Sequence, residues 1–223
     1  MPRAIIPRGN LTVTAALGML MAGLLSACGL FGTTGEGPLT SETRPVTGFR
    51  RIDASNGIGV TVRFGATTSV EVSAQSNILP IIASTVEGDT LKLRSTSGFT
   101  TSAGVGVTVV VPALSAVTLS GGSQGVIEGF AADSLTIALD GGASLTASGT
   151  ASTITLTASG GAVARLDALT AETVNIQASG GANATVRASR EVVGSASGGA
   201  HVTVLGDAIL NVEASGGASV SRD

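Results

Sequence analysis

The sequence predicts an all-β protein, specifically a parallel β-helix (solenoid) with about 18–20 residues per rung. Three observations predict it. First, adjacent glycines recur as Gly121–Gly122, Gly141–Gly142, Gly160–Gly161, Gly180–Gly181, Gly198–Gly199 and Gly216–Gly217, at intervals of 20, 19, 20, 18 and 18 residues. Near-constant spacing of this length is the mark of a repeat architecture. Second, the flanks of each pair alternate apolar and polar with period two, as in a strand with one buried face. Third, aromatics make up 2% of the chain, with no Trp or Tyr, while Gly reaches 32 residues, so the core must be packed from small side chains. A repeat of about 19 residues is too short for a strand–helix–strand crossover, which needs roughly 30.

Taken in chain order, the first element is an export signal. Arg3 and Arg8 precede an uncharged apolar run, Leu11–Leu25, which is shorter than the roughly 20 residues of a membrane span. It closes in "LSAC", which resembles a bacterial lipobox. That resemblance implies cleavage after residue 27 and lipidation of Cys28, the only cysteine. Gly29, where retention at the inner membrane usually has Asp, implies sorting to the outer membrane. The expected arrangement is a signal peptide over 1–27, a flexible Gly- and Pro-containing tether over 28–44, and a folded domain over 45–223.

Between Pro45 and Pro112 the alternation continues without glycine pairs, in Ile58/Val60/Val62/Phe64, Val70/Val72, Leu91/Leu93 and Val105/Val107/Val109. Atypical terminal repeats are expected of such arrays, so this region is read as irregular, wider rungs capping the N-terminal end. The segment "SNILPIIAS" reads as an apolar connection with one helical turn near Pro80.

From Val117 onward each rung is expected to run strand, Gly-Gly bend, strand, short connection. Leu135, Ile154, Val174, Val192 and Leu210 share one inward row six residues before the pair, and Leu119, Leu139, Ala158, Ala178, Ala196 and Ala214 share another two before it. Glycine suits a corner that repeats directly above itself, since it adopts positive φ without strain and lets neighbouring backbones approach. A glycine-rich calcium roll requires a recurring Asp after the glycines, and no such row exists. The last rung ends with Arg222 in an inward slot, which leaves an open parallel edge, a place for self-association.

The stretches "VTGFRRIDASNGIGVTVRFG", "VSAQSNILPIIASTVEGDTLKL" and "VPALSAVTLSGGSQGVI", followed by serial SGG repeats, resemble the autotransporter-adhesin head domain family, the head GIN domain. The resemblance runs from about Pro45 to the C-terminus. It implies a right-handed parallel β-helix behind a lipoprotein signal, and a role in adhesion.

A formal net charge of -3 without a basic run gives nucleic acid no electrostatic foothold. For catalysis, the carboxylates to weigh are Glu128 and Asp167, two rungs apart and so about 9.6 Å from each other, near the upper limit of about 9.5 Å for an inverting glycosidase pair. Arg187 is expected directly over Asp167, which favours an ordinary surface ion pair. His201, the only histidine, falls in the outward polar row Gln124, Ser144, Val163, Asn183, His201, Ser219. It lacks the companions a metal site needs. No catalytic residue, metal or cofactor is therefore assigned.

These readings converge on an exported, lipid-anchored envelope protein acting as an adhesin-like binding module, held to the membrane through Cys28 and offering a polar outer face to a glycan or protein. The alternatives are an envelope polysaccharide-active enzyme and a passive spacer.

Overall fold

A computed structural model of the chain describes residues 32–223; the expected signal peptide over 1–27 and Cys28 lie outside the described residues. The described chain holds seventeen strands, one 3₁₀ turn and no α-helix. In order they are β1 (Thr33–Thr34), β2 (Leu39–Arg44), β3 (Arg51–Ala54), β4 (Gly59–Phe64), β5 (Ser69–Gln75), the 3₁₀ turn Leu79–Ile81, β6 (Ile82–Glu87), β7 (Thr90–Ser95), β8 (Phe99–Thr100) and β9 (Gly106–Val111). The repeat region follows with β10 (Ala116–Leu119), β11 (Gln124–Leu139), β12 (Ser144–Ala158), β13 (Val163–Ala178), β14 (Asn183–Ala196), β15 (His201–Leu205), β16 (Ile209–Ala214) and β17 (Ser219–Arg222).

These strands build two faces of a β-solenoid. One face runs β6-β7-β3-β10-β11-β12-β13-β14-β16, the other β2-β5-β9-β4-β11-β12-β13-β14-β15-β17. Within the coil every pairing is parallel, and the inward rows stack as the sequence requires: Ile52, Val117, Ile137, Leu156 and Ile176 are mutually in register and at most 2% exposed. Burying such a side chain contributes about 1.5–3 kcal/mol, and the column repeats that gain over these five rungs before Gly194 interrupts it.

The expected short connection between rungs is not a loop. β11 to β14 run unbroken for 14–16 residues from one glycine bend to the next. They turn the far corner through irregularities in pairing, such as those between Ile127 and Phe130 and between Leu166 and Thr170. An extra residue in a ladder bends a strand without ending it, and glycines at positive φ assist, Gly129 at 71° and Gly149 at 129°; a Cβ at Gly149 would lie 2.0 Å from the Phe130 carbonyl oxygen. In the repeat region only the corner between β15 and β16 is a short loop, from Gly206 to Ala208.

The cap is more ordered than the sequence suggests. β3 and β4 form a rung of their own, stacked on β10 and on the start of β11. The chain then leaves to form antiparallel β5 and β6, and returns through β7 and β9 on the outer side of β3 and β4. Antiparallel β2, β5 and β6 thus cover the parallel edge of the first rung. In the first rungs the Phe64 and Phe130 rings meet edge to face at 5.8 Å. One inward column runs from Ala54 through Leu119 and Leu139 to Ala158, Ala178 and Ala196, so its later rungs are filled by alanine.

Part of the segment expected as a tether belongs to the fold. Leu39–Arg44 pairs antiparallel with β5 along its whole length, and Thr33–Thr34 pairs with β8. The physical reason is the Thr-Ser-Glu-Thr-Arg composition of β2, which supports an edge strand, its ladder bonds satisfied by β5. Glycine and proline at 35, 37 and 38 mark only the turn between β1 and β2.

Candidate functional site

The bends form one column. In each Gly-Gly copy the preceding residue's carbonyl accepts from the amide three residues on, as in Ala162 N to Ser159 O at 3.3 Å and Ala182 N to Ser179 O at 3.3 Å. From Gly141 to Gly199 the bends are tied directly: the second glycine's N–H donates to the first glycine's carbonyl one rung earlier, as in Gly181 to Gly160 at 2.7 Å and Gly199 to Gly180 at 2.6 Å. Register carries the column into a rung without paired glycines. Ala54 pairs with Leu119, so Asn56–Gly57 sits at the level of Gly121–Gly122, and all four residues have φ between 58° and 79°. Two central residues at positive φ are what a type I′ turn requires, and Asn-Gly is its strongest sequence signal. From Gly141 onward only the first glycine of each pair has positive φ.

On the outer side of the first face, pairing aligns Thr136, Thr155, Asn175, Val193 and Asn211 in one ladder, and Thr157, Gln177, Ser195 and Glu213 in the next. Between them lies a shallow groove of about 200 Å³, with Thr155, Asn175 and Val193 on one side, Thr157 and Gln177 on the other, and Leu156, Ile176 and Gly194 along its floor. Its walls carry hydroxyl and amide side chains together with the apolar Val193, none with formal charge, and most of the lining surface is apolar. The floor position at 194 is held to glycine, since an added Cβ would lie 1.8 Å from the Ile176 carbonyl oxygen.

The second face carries the groups considered for catalysis, and the structure separates them. Glu128 accepts from Arg63 Nε at 2.8 Å. That hydrogen bond, and secondarily the guanidinium charge, hold its carboxyl below the ordinary carboxylate range. A general acid needs the opposite shift. Arg187 does not pair with the Asp167 side chain: its Nε donates to the Asp167 backbone carbonyl at 2.7 Å. The ladder skips there, with Leu166 opposite Val186 but Thr170 opposite Arg187, so side chains at equal distances from the glycines no longer lie over one another.

His201 stands in the outward row with Asn183 and Ser219. Its Nδ1 lies 2.6 Å from Ser219 Oγ. Among the described residues no carboxylate hydrogen-bonds to its other nitrogen, so the pair lacks the orienting third group of a nucleophilic triad. Also among the described residues, no group of three or more His, Cys, Asp or Glu converges as metal ligands do. At the bends, Asp140 accepts from Ser159 Oγ at 2.6 Å. This bond, and then the Gly141 amide, keep its carboxyl below the usual range.

At the C-terminal end, Leu210, Val212 and Val220 are only partly covered. Arg222 pairs with Val204 and turns its guanidinium to the Ala208 carbonyl.

Comparison with known proteins supports the fold and gives the family. A crystal structure of a putative adhesin from Bacteroides fragilis superposes with a TM-score of 0.71 at 16% identity, covering 86% of this chain and 100% of that one. A putative adhesin from Parabacteroides distasonis gives 0.55 at 16% identity over 86% and 99% of the two chains. A putative lipid binding protein from the same species gives 0.53 at 12% identity over 85% and 98%. No curated protein matches the chain. The family described as "Putative auto-transporter adhesin, head GIN domain" matches residues 48–208, and the chain belongs to that family.

Proposed function

We propose that the protein is a lipid-anchored binding module of the cell envelope that works by contact and carries out no chemistry. The observation that carries this reading is the pair of uncharged amide and hydroxyl ladders flanking the groove at Thr155, Asn175 and Gln177. They stand on strands whose backbone bonds are satisfied by rungs on both sides. A rigid, regular array of neutral donors and acceptors suits a hydroxyl-rich ligand, an envelope glycan before others. Naming of the similar structures as adhesins supports contact over catalysis, and the depressed Glu128 carboxyl supports the same choice. The anchor is Cys28, on the strength of its signal sequence and lipobox, with Gly29 favouring the outer membrane.

The test is retention of isolated envelope glycans by the protein. Measurable binding is expected, and it should weaken about tenfold or more in the triple variant Thr155→Ala, Asn175→Ala, Gln177→Ala with the melting temperature unchanged. Turnover of any of these glycans, or retention that the triple variant leaves intact, would overturn the reading.

A further inference from the structure

The first strand among the described residues, β1, begins at Thr33, five residues after Cys28. Thr33 N donates to Gly98 O at 2.8 Å and Gly35 N to Thr100 O at 2.7 Å. Asn77 closes the other side: its Nδ2 donates to Thr34 O at 2.7 Å, and its Oδ1 accepts from Glu36 N at 2.8 Å. The partners all belong to the cap, since residues 96–105 join the outermost parallel strands β7 and β9, and Asn77 directly follows β5.

From these contacts we propose that the cap end of the solenoid is its membrane-facing surface and meets a lipid headgroup layer at short range, leaving the open C-terminal rung as the distal end. The proposal rests on the lipid anchor at Cys28. An extended chain spans at most about 3.3–3.6 Å per residue, so Thr33 lies within about 18 Å of the anchored cysteine. Had the chain been free to residue 44, the reach would have been about 60 Å, enough for the domain to turn either end to the membrane. Fixing β1 removes that freedom. Leu39 on the cap is 60% exposed and Ile209 on the last rung 63%, so apolar exposure does not choose between the ends and the orientation rests on the short reach from Cys28. Strand spacings of about 4.8 Å place β17 seven steps, about 34 Å, beyond β9.

The experiment uses the full lipidated chain in phosphatidylethanolamine–phosphatidylglycerol vesicles with an acceptor dye on a fraction of the headgroups. Cys28 is the chain's one cysteine, so single donor dyes can be attached at Ser102→Cys, on the cap, or at Ser221→Cys, on the open rung; both positions are exposed. Transfer from the cap is expected to exceed transfer from the open end severalfold. Inserting twenty Gly/Ser residues before Gly32 adds a random-coil reach of about 25 Å and should erase most of that contrast. Equal transfer from the two labels in vesicle-bound protein overturns the orientation alone. A chain that fails to float with the vesicles, behaving like its Cys28→Ser variant, overturns the anchor and the orientation with it.

Discussion

The amide nitrogen of Gly161 lies 2.7 Å from the carbonyl oxygen of Gly141, one rung away. This bond locks neighbouring corners together, and it divides the two glycines of a pair into unequal roles. Gly160 has a φ of 67°, and a Cβ on it would stand 2.9 Å from the Gly141 carbonyl oxygen and 3.1 Å from its Cα. Gly161 has no positive φ, and its Cβ would stand 3.5 Å from that oxygen, an ordinary contact.

Gly160→Ala should therefore cost about 1–3 kcal/mol, from backbone strain together with the displaced neighbour. Gly161→Ala should be neutral, or stabilising by up to about 1 kcal/mol through a less flexible unfolded chain. The same contrast is expected at Gly180 and Gly181. Denaturant midpoints of the four variants check it, and equal losses within a pair would refute the division of roles.

The glycine period and the alternation around it made the coil legible because parallel stacking repeats one side-chain pattern at one interval. The far corner was hidden, since its bulges differ from rung to rung and its glycines, Gly129, Gly149 and Gly206, follow no constant interval. The bulge after Leu166 also misplaced Arg187 relative to Asp167: counting from the glycines holds only until the ladder slips. Asn56–Gly57 stands outside the paired-glycine pattern. It is an ordinary type I′ signal, and only its stacking beneath Gly121–Gly122 shows that it opens the column. The Arg63–Glu128 pair joins strands 65 residues apart, a proximity no local pattern reveals. The seating of β2 on β5 is of the same kind.

Ser123 occupies the column that Ala143, Ala162, Ala182 and Ala200 fill in later rungs, and all five are fully buried. Its Oγ has no hydrogen-bond partner, whereas its backbone is satisfied through Ser120 and Ser144. A buried hydroxyl without a partner costs about 1–3 kcal/mol. Ser123→Ala removes that cost and leaves the side chain its neighbours already have, so it should raise the melting temperature. A fall would mean that the hydroxyl holds a bond within the bend.

Glu128 should titrate below an ordinary glutamate because Arg63 hydrogen-bonds to its charged form and attracts it. A carboxyl whose folded value is depressed contributes stability that is present above the unfolded value and lost as pH falls through the folded one. The contribution is accordingly intact at neutral pH and disappears in the acid range. It is small and salt-sensitive, because the side chains are 57% and 49% exposed. Arg63→Ala should return the Glu128 midpoint to the usual glutamate range in a carbon-detected NMR titration, and an unchanged midpoint would place the cause elsewhere.

One interior column should respond in opposite ways at two of its rungs. Leu139 is 1% exposed, and Leu139→Ala should leave a cavity costing about 2–5 kcal/mol. Ala178 is 3% exposed two rungs on and in register with Ala158 and Ala196. Adding three carbons to this buried position in Ala178→Leu should cost about 1–3 kcal/mol by overpacking. The paired exchange would not restore stability, because the two sites are separated by the Ala158 rung and fill different cross-sections. Thermal melts of the two single variants and the double variant test this, and rescue in the double variant would show that the rungs adjust their width cooperatively.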